Sequence, residues 1–349
     1  MDAYYNLGFS YNLEQEINSQ NTLAFNKIES EKDYIDSFES DIIREILKVD
    51  NFIRIDERNK YILHKSYPSP RAIYPLELVI FTNGKFISMN KYSNKMFYKK
   101  NILYGHSAQY KEMDIVINIR DFNIYPGSYN KIKKSLLLLE IGHLIYNIIL
   151  KTKSLGLNYK VSQINEDNIV MEVISQKEKL SHEVELEVSI LNKVFINRSS
   201  GPQIPLISYK NCSKDRILNQ FEYSTFKGII PIIENKILIL NFKKEKDYFT
   251  VNNIKIHYTE LNNILSTINF KLIDELFIFL YHENFIKLNL TSQIIDIGSS
   301  CQEKILLSTI NGYFSRPMKS FDMAKTELLV RKIGIRNFIP HYFLVNFKK

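Results

Sequence analysis

EIGHLIYNIILKTKSLG, Glu140 to Gly156, and DIGSSCQEKILLSTING, Asp296 to Gly312, decide the reading of the chain. The same 156 residues separate Glu140 from Asp296 and Gly156 from Gly312. Written one over the other, the stretches agree at the acidic residue, the Ile-Gly pair, Leu150 over Leu306, and the closing glycine. Each sits in an apolar, helix-length segment, roughly Asn130 to Leu155 and Thr291 to Ile310. Each is stopped by a glycine able to take the left-handed conformation that ends helices.

Strand signals lie upstream of both helices. Leu78 to Thr82 and Lys85 to Ser88 flank Asn83-Gly84, a strong two-residue hairpin turn. Asp114 to Ile119 reads as a further strand. In the second half Leu238 to Phe242 reads as a strand, while the apolar run Leu276 to Tyr281 fits either a strand or a helix. GKFISMNKYSNKMFY, Gly84 to Tyr98, also lies over NKILILNFKKEKDYF, Asn235 to Phe249, at an offset near 151 (84 to 235). Two matches in the same order predict two copies of one α+β unit. The join falls near Gln176 to Glu187, which is charged, lacks Pro and Gly, and reads as helical. The expected division is 1–185, with an N-terminal helical extension, and 186–349. Residues 13–48 read as that extension, with Ile35, Phe38, Ile42 and Ile46 on one face.

Composition narrows the function classes. The 349 residues are 45% hydrophobic and 24% charged, which is a globular balance with room for two cores. A net charge of +8 is spread thinly, with no dense Lys/Arg block, so no nucleic-acid partner is expected. No signal peptide is read at the N-terminus, and Glu140, His143 and Asn147 interrupt the longest apolar run, so no membrane span is expected. Two cysteines, Cys212 and Cys301, fit a reducing cytoplasm and exclude a disulfide framework.

Two segments could carry chemistry. SYPSPRAIYPLE, Ser66 to Glu77, places three prolines, an arginine and two tyrosines directly before a strand. Prolines stiffen it, and a stiff loop presenting a hydroxyl and a guanidinium suits an anionic or planar ligand. It could equally be a rigid lead-in with Arg71 solvated. FINRSSGPQIP, Phe195 to Pro205, offers Arg198, Ser199 and Ser200, the donors a phosphate wants, or simply a capped loop. Glu140, His143 and Asn147 share one helix face. Without a second ligand cluster they read as a polar seam between the two units, with His143 a hydrogen-bonded core histidine rather than a metal ligand.

PSPRAIYPLE (Pro68 to Glu77) resembles the Pro-Ser loop of SagB/ThcOx-type (McbC-like) dehydrogenases, a branch of the nitroreductase-like flavoenzymes. LLLLEIGHLIYNIILKTKSLGL (Leu136 to Leu157) resembles their core helix, and Ile294 to Asp322 is similar to that helix and the turn after it. The resemblance covers most of residues 50–345. It implies a nitroreductase-like fold of two tandem halves forming an intramolecular pseudo-dimer, with FMN as cofactor. The flavin site would be split. Arg198 with Ser199 or Ser200 would hold the phosphate, aided by Lys348 or Lys349, and Pro68, Ser69, Pro70 and Arg71 would come from the other half. Backbone near Lys319, in the turn Ser315 to Phe321, would face the flavin ring.

The implied activity is oxidation of peptide thiazolines and oxazolines to thiazoles and oxazoles during maturation of a ribosomally made peptide. The implied reoxidant is O₂. The family's Lys-Tyr pair falls at Ser128-Tyr129, so Tyr129 is the expected base, with Lys131, Lys133 or Lys134 as its cation. Implied partners are the precursor peptide, a cyclodehydratase and a peptide-recognition protein, with further oligomerisation open. Two other readings stand beside this one: a small-molecule nitroreductase using NAD(P)H, and a non-catalytic scaffold subunit.

Overall fold

The computed structural model describes residues 40–55, 61, 63–91, 94–99, 110–119, 124–164, 168–176, 182–200, 237–283 and 286–348. A short helix, α1 (Ser40–Leu47), buries Ile43, Ile46 and Leu47. The rest of the expected N-terminal extension, with Ile35 and Phe38, lies outside the described residues. A two-stranded ribbon follows, β1 (Phe52–Ile55) with β2 (Leu63–Lys65).

The first large sheet contains β3 (Leu76–Thr82), β4 (Lys85–Met89), β5 (Met96–Lys99), β6 (Ile115–Ile119), β7 (Leu157–Ile164) and β8 (Asn168–Gln176). Its spatial order is β5-β4-β3-β6-β8-β7. Helix α2 (Lys133–Ser154) joins β6 to β7, and α3 (His182–Asn197) follows β8. The second sheet contains β9 (Ile237–Glu245), β10 (Tyr248–Val251), β11 (Ile254–His257), β12 (Glu275–His282), β13 (Tyr313–Met318) and β14 (Phe338–Lys348). Its order is β11-β10-β9-β12-β14-β13, the same topology strand for strand. Short α4 (Tyr258–Ile264) lies between β11 and β12, the long α5 (Ile286–Ile310) between β12 and β13, and α6 (Met323–Lys332) between β13 and β14.

The two long helices meet where the sequences match. A Cβ built on Gly142 would sit 2.1 Å from the carbonyl oxygen of Ile295, and one on Gly298 would sit 2.2 Å from that of Leu139. Ile295 is as far from Leu139 in sequence as Gly298 is from Gly142, so the contact is reciprocal, as across a two-fold axis. The Ile-Gly pair is thus explained by backbone approach: only glycine lets α2 and α5 come this close. Ser299 Oγ donates to the Gly142 carbonyl at 2.9 Å and closes the crossing. Gly156 and Gly312 end the two helices at φ of 76° and 77°.

Two expectations change. The upstream match at offset 151 set β4 against β9. Topology pairs the hairpin β3–β4 with β9–β10 instead, and their turns at Asn83 and Lys246, both with positive φ, are 163 residues apart (83 to 246). An alternating strand pattern repeats every two residues and slides easily in a gap-free alignment. The run Leu276 to Tyr281 is strand β12. It reads as uniformly apolar because both faces are covered. Phe277 and Phe279 join the large core around α2 and α5, while Leu276, Ile278 and Leu280 join a second core that includes α4 and α6 residues.

Helix α2 is apolar and long enough to cross a membrane by length and composition, but it is buried inside the protein against α5. In the expected helical join, α3 starts at His182, and residues 177–181 lie outside the described set.

Candidate functional site

The Pro-rich loop is bent as well as stiff. Arg71, Ala72 and Tyr74 all have φ of 52–53°, the left-handed region that costs a non-glycine residue roughly 1–2 kcal/mol. Ser69 holds the bend from inside. Its carbonyl accepts from Ala72 N–H (3.0 Å), and its Oγ accepts from Tyr74 N–H (2.9 Å) while donating to Glu140 Oε2 on α2 (2.8 Å). Tyr74 Oη in turn accepts from Lys65 N–H at 3.0 Å. The loop is therefore latched to the central helix at one end and to β2 at the other. Arg71 is half-buried, its guanidinium 5.1 Å from the centre of the Tyr129 ring.

Glu140 is the buried half of the latch. Burial raises its pKa to about 8, against the opposing pull of Ser69, Lys65 and Tyr125. The folded protein thus keeps a proton that the unfolded chain releases near the ordinary value of 4.5. Stability attached to this group falls as pH rises from about 4.5 to about 8 and is level above that. Glu140→Gln, which does not titrate, is expected to gain stability relative to the natural chain across that window and to match it below. Denaturation midpoints measured from pH 4 to pH 9 check this, and parallel pH profiles would contradict it.

Arg198 follows the last turn of α3 and is 2% exposed. Its Nη2 reaches the Lys65 carbonyl at 3.5 Å, while Nε and Nη1 have no hydrogen-bond partner among the described residues. Arg54 donates to the Arg198 carbonyl, which brings a second guanidinium close. Burial lowers the Arg198 pKa to about 10, so it stays charged at neutral pH. No carboxylate forms an ion pair with it among the described residues. Ser199 is fixed through its carbonyl, which accepts from Ser315 N–H of β13 at 3.0 Å, and Ser200 beside it is half-buried. Arg198 thus lies at the base of the Ser66–Tyr74 segment. Gly201 to Pro205 and Lys349 lie outside the described residues. Lys348 is exposed at the end of β14, its N–H on Asp274 Oδ2 at 3.0 Å.

The stripe on α2 forms a buried polar seam. Gln302 of α5 accepts at Oε1 from His143 Nδ1 (3.1 Å) and donates through Nε2 to Asn147 Oδ1 (2.9 Å) and the Ser66 carbonyl (3.2 Å). Asn147 Nδ2 donates to Ser66 Oγ (2.9 Å), and Ser66 Oγ donates to the Val49 carbonyl (2.8 Å). Burial and the nearby Arg198 lower the His143 pKa to about 3, so it is a neutral core histidine. No group of three or more metal-ligating side chains occurs among the described residues.

The other expected residues lie just before and within the first turn of α2 and, for Lys319, after β13. Tyr129 ends a 3-10 turn, Gly127–Tyr129, just before the helix, and is half-buried. Lys131 and Lys134 are exposed. The charge observed against the phenol is that of Arg71. Lys319 follows β13 directly, its Nζ donating to the His341 carbonyl (2.7 Å) and lying 3.1 Å from His341 Nδ1.

The sequence reading missed two groups. Asp50 accepts from Lys65 Nζ (2.5 Å) and Tyr67 Oη (2.7 Å) under the loop; burial raises its pKa, but Lys65 and Lys91 outweigh that and hold it below the ordinary value. Ser135 Oγ lies 2.8 Å from His341 Nε2. Neither group has a local pattern that marks it.

No protein-family model matches the sequence. No curated protein matches it either. Among solved structures, the chain is similar to a provisionally named nitroreductase from Anabaena variabilis, with a TM-score of 0.60. The similarity spans 88% of this chain and 87% of that one, at 10% sequence identity. The chain therefore has a nitroreductase-like fold.

Proposed function

We propose that this chain is an FMN-dependent oxidoreductase of the SagB/ThcOx type, which oxidises thiazolines and oxazolines in a peptide to thiazoles and oxazoles. In this reading residues 1–185 and 186–349 are two halves of an intramolecular pseudo-dimer that share one flavin site. The observation that carries it is Arg198, a sealed guanidinium with two donors unpartnered among the described residues, lying at the base of the Pro-rich loop. A buried charge of this kind is costly unless something anionic satisfies it. The phosphate of FMN is such a group, and a guanidinium suits it well.

Arg198, with Ser199 or Ser200, would hold the phosphate, and the Pro68–Arg71 loop would bound the flavin. FMN supplies the two-electron acceptor. The chain supplies the rest. The latch from Ser69 to Glu140 keeps the loop in its strained shape, so the site is built before substrate arrives. Tyr129, with Arg71 against its ring, would hydrogen-bond the reacting heterocycle. At 2% exposure Arg198 must be uncovered before phosphate can reach it, so flavin loading is expected to be slower than an open site allows. The substrate would be a precursor peptide delivered by a cyclodehydratase and a peptide-recognition protein.

The experiment incubates FMN-loaded chain with an azoline-containing peptide under air and follows peptide mass. Loss of two hydrogens per ring is the expected result. Tyr129→Phe is expected to slow it roughly 10²-fold with flavin retained. Consumption of NAD(P)H without peptide oxidation would favour a small-molecule reductase instead. Failure to take up FMN would favour a scaffold.

A further inference from the structure

The oxidation proposed above releases one proton from the heterocycle, and a group in the protein must take it. Around the first turns of α2, Lys131 and Lys134 are exposed, Tyr129 lies half-buried against Arg71, Tyr125 donates to Glu140, and the buried acid and imidazole groups are committed. Glu140 is held in its protonated form by burial and accepts two hydrogen bonds on one oxygen. Both ring nitrogens of His143 face partners, Gln302 at 3.1 Å and Tyr342 at 3.5 Å. His341 is likewise engaged on both sides, by Lys319 and Ser135.

Lys319 differs from these. It is half-buried, with no carboxylate within ion-pair distance among the described residues. Its neighbours are the His341 ring and carbonyl from β14 and the Phe321 ring, with Nζ 5.8 Å from that ring's centre. Behind His341 stands the Tyr281 ring of β12, at 5.4 Å between ring centres. With Lys319 donating to Nδ1, His341 carries its proton on Nε2 and donates it to Ser135 Oγ. Ser135 lies on the first turn of α2, between Tyr129 and Glu140 in sequence.

We propose that Lys319 is the proton acceptor of this site, an amine held in place by His341 and, through it, by Ser135 of α2. The proposal rests on the oxidative reading of the site. An amine shielded from water with no carboxylate beside it among the described residues gives up its proton more readily than an exposed one, and its uncharged form has a free lone pair. Burial lowers its pKa to about 7, where a general base works best near neutral pH. In the step itself, one ring C–H hydrogen leaves as a proton to Lys319 Nζ, and its bonding pair becomes the second bond of the new C=C. The hydrogen on the neighbouring ring atom would leave with both its electrons, for which FMN, when bound, would supply the two-electron acceptor. The products would be an azole, the two-electron-reduced acceptor and a lysine ammonium, which returns its proton to solvent. His341 is a positioning residue: its carbonyl and ring fix the amine and exclude water.

The test uses the full, FMN-loaded chain. Acetic anhydride labelling over a pH series, read by mass spectrometry at Lys319, gives the midpoint at which the amine becomes reactive. A midpoint near neutrality is expected, moving up in His341→Gln. Lys319→Met is expected to lower azoline oxidation roughly 10²- to 10⁴-fold with flavin binding unchanged. A Lys319 midpoint equal to that of the exposed lysines in the same sample overturns the proposal, as does full turnover by Lys319→Met. If the natural chain oxidises no azoline peptide, the oxidative reading fails and the assignment of the acceptor falls with it. If the natural chain and Lys319→Met both turn over, only the acceptor is wrong.

Discussion

Gly142→Ala is expected to cost about 3 kcal/mol or more of stability, at or beyond the upper end of what overpacking ordinarily costs. The added methyl would sit 2.1 Å from a carbonyl oxygen of α5 and 2.8 Å from the Ser299 backbone nitrogen. No rotamer relieves this, because the obstacle is helix backbone. The helices must part, and parting them opens voids among Leu139, Ile295 and their neighbours in the main core. Gly298→Ala is expected to do the same, because the contact is reciprocal. The double variant should cost clearly less than the sum, since helices already parted by one methyl accommodate the second. Gly84→Ala is the control. It has φ of +70° and nothing within 4 Å of the added carbon, so only backbone strain of roughly 1–2 kcal/mol applies. Urea midpoints of the four variants check this series. A mild Gly142→Ala would mean that the two helices do not meet backbone to backbone.

Arg198→Met is expected to separate stability from function. Its donors Nε and Nη1 are buried without partners among the described residues, and its Nη2 bond is long at 3.5 Å. Replacing a poorly satisfied buried charge with an apolar side chain of similar length is neutral or stabilising in the absence of ligand. The flavin-free variant should therefore unfold at the same urea concentration as the natural chain, or a higher one. Its affinity for FMN should fall by roughly 2–5 kcal/mol, the usual effect of removing one partner of a buried charge pair. Arg198→Lys restores charge but not the planar fork and should recover only part of the binding. An Arg198 with a purely structural role gives the opposite pattern, with stability lost and flavin unaffected. Fluorescence titration of FMN beside urea unfolding distinguishes the two.

How much of this was legible in the sequence depended on the range of each interaction. The two long helices were readable because their signals are local: apolar periodicity, a closing glycine, and an Ile-Gly pair repeated at a fixed spacing. The sequence did not reveal that this pair is the crossing point itself. Strand β12 was ambiguous because burial of both faces erases the alternation that marks a strand. The upstream repeat was set against the wrong strand because a period of two fits many offsets. At the site, the Pro-rich loop and Arg198 stood out by residue type, and the fold brings them together. For a cation at Tyr129 the sequence offers Lys131, Lys133 and Lys134 in the next turn; it gives no sign that Arg71, far earlier in the chain, lies against the ring. The chain from Lys319 through His341 to Ser135 was invisible, since His341 and Ser135 are 206 residues apart. The ion pair of Asp50 with Lys65 was missed for a different reason. It is closer in sequence, but a lysine on a short strand gives no sign that it will be fully buried.

The central claim is a single flavin site shared by the two halves of the chain. The visible absorption spectrum tests it most directly, taken on the purified natural chain after mixing with FMN and removing the unbound excess. The expected result is a retained flavin band corresponding to one FMN per chain. A colourless protein, or one that retains two, would contradict it.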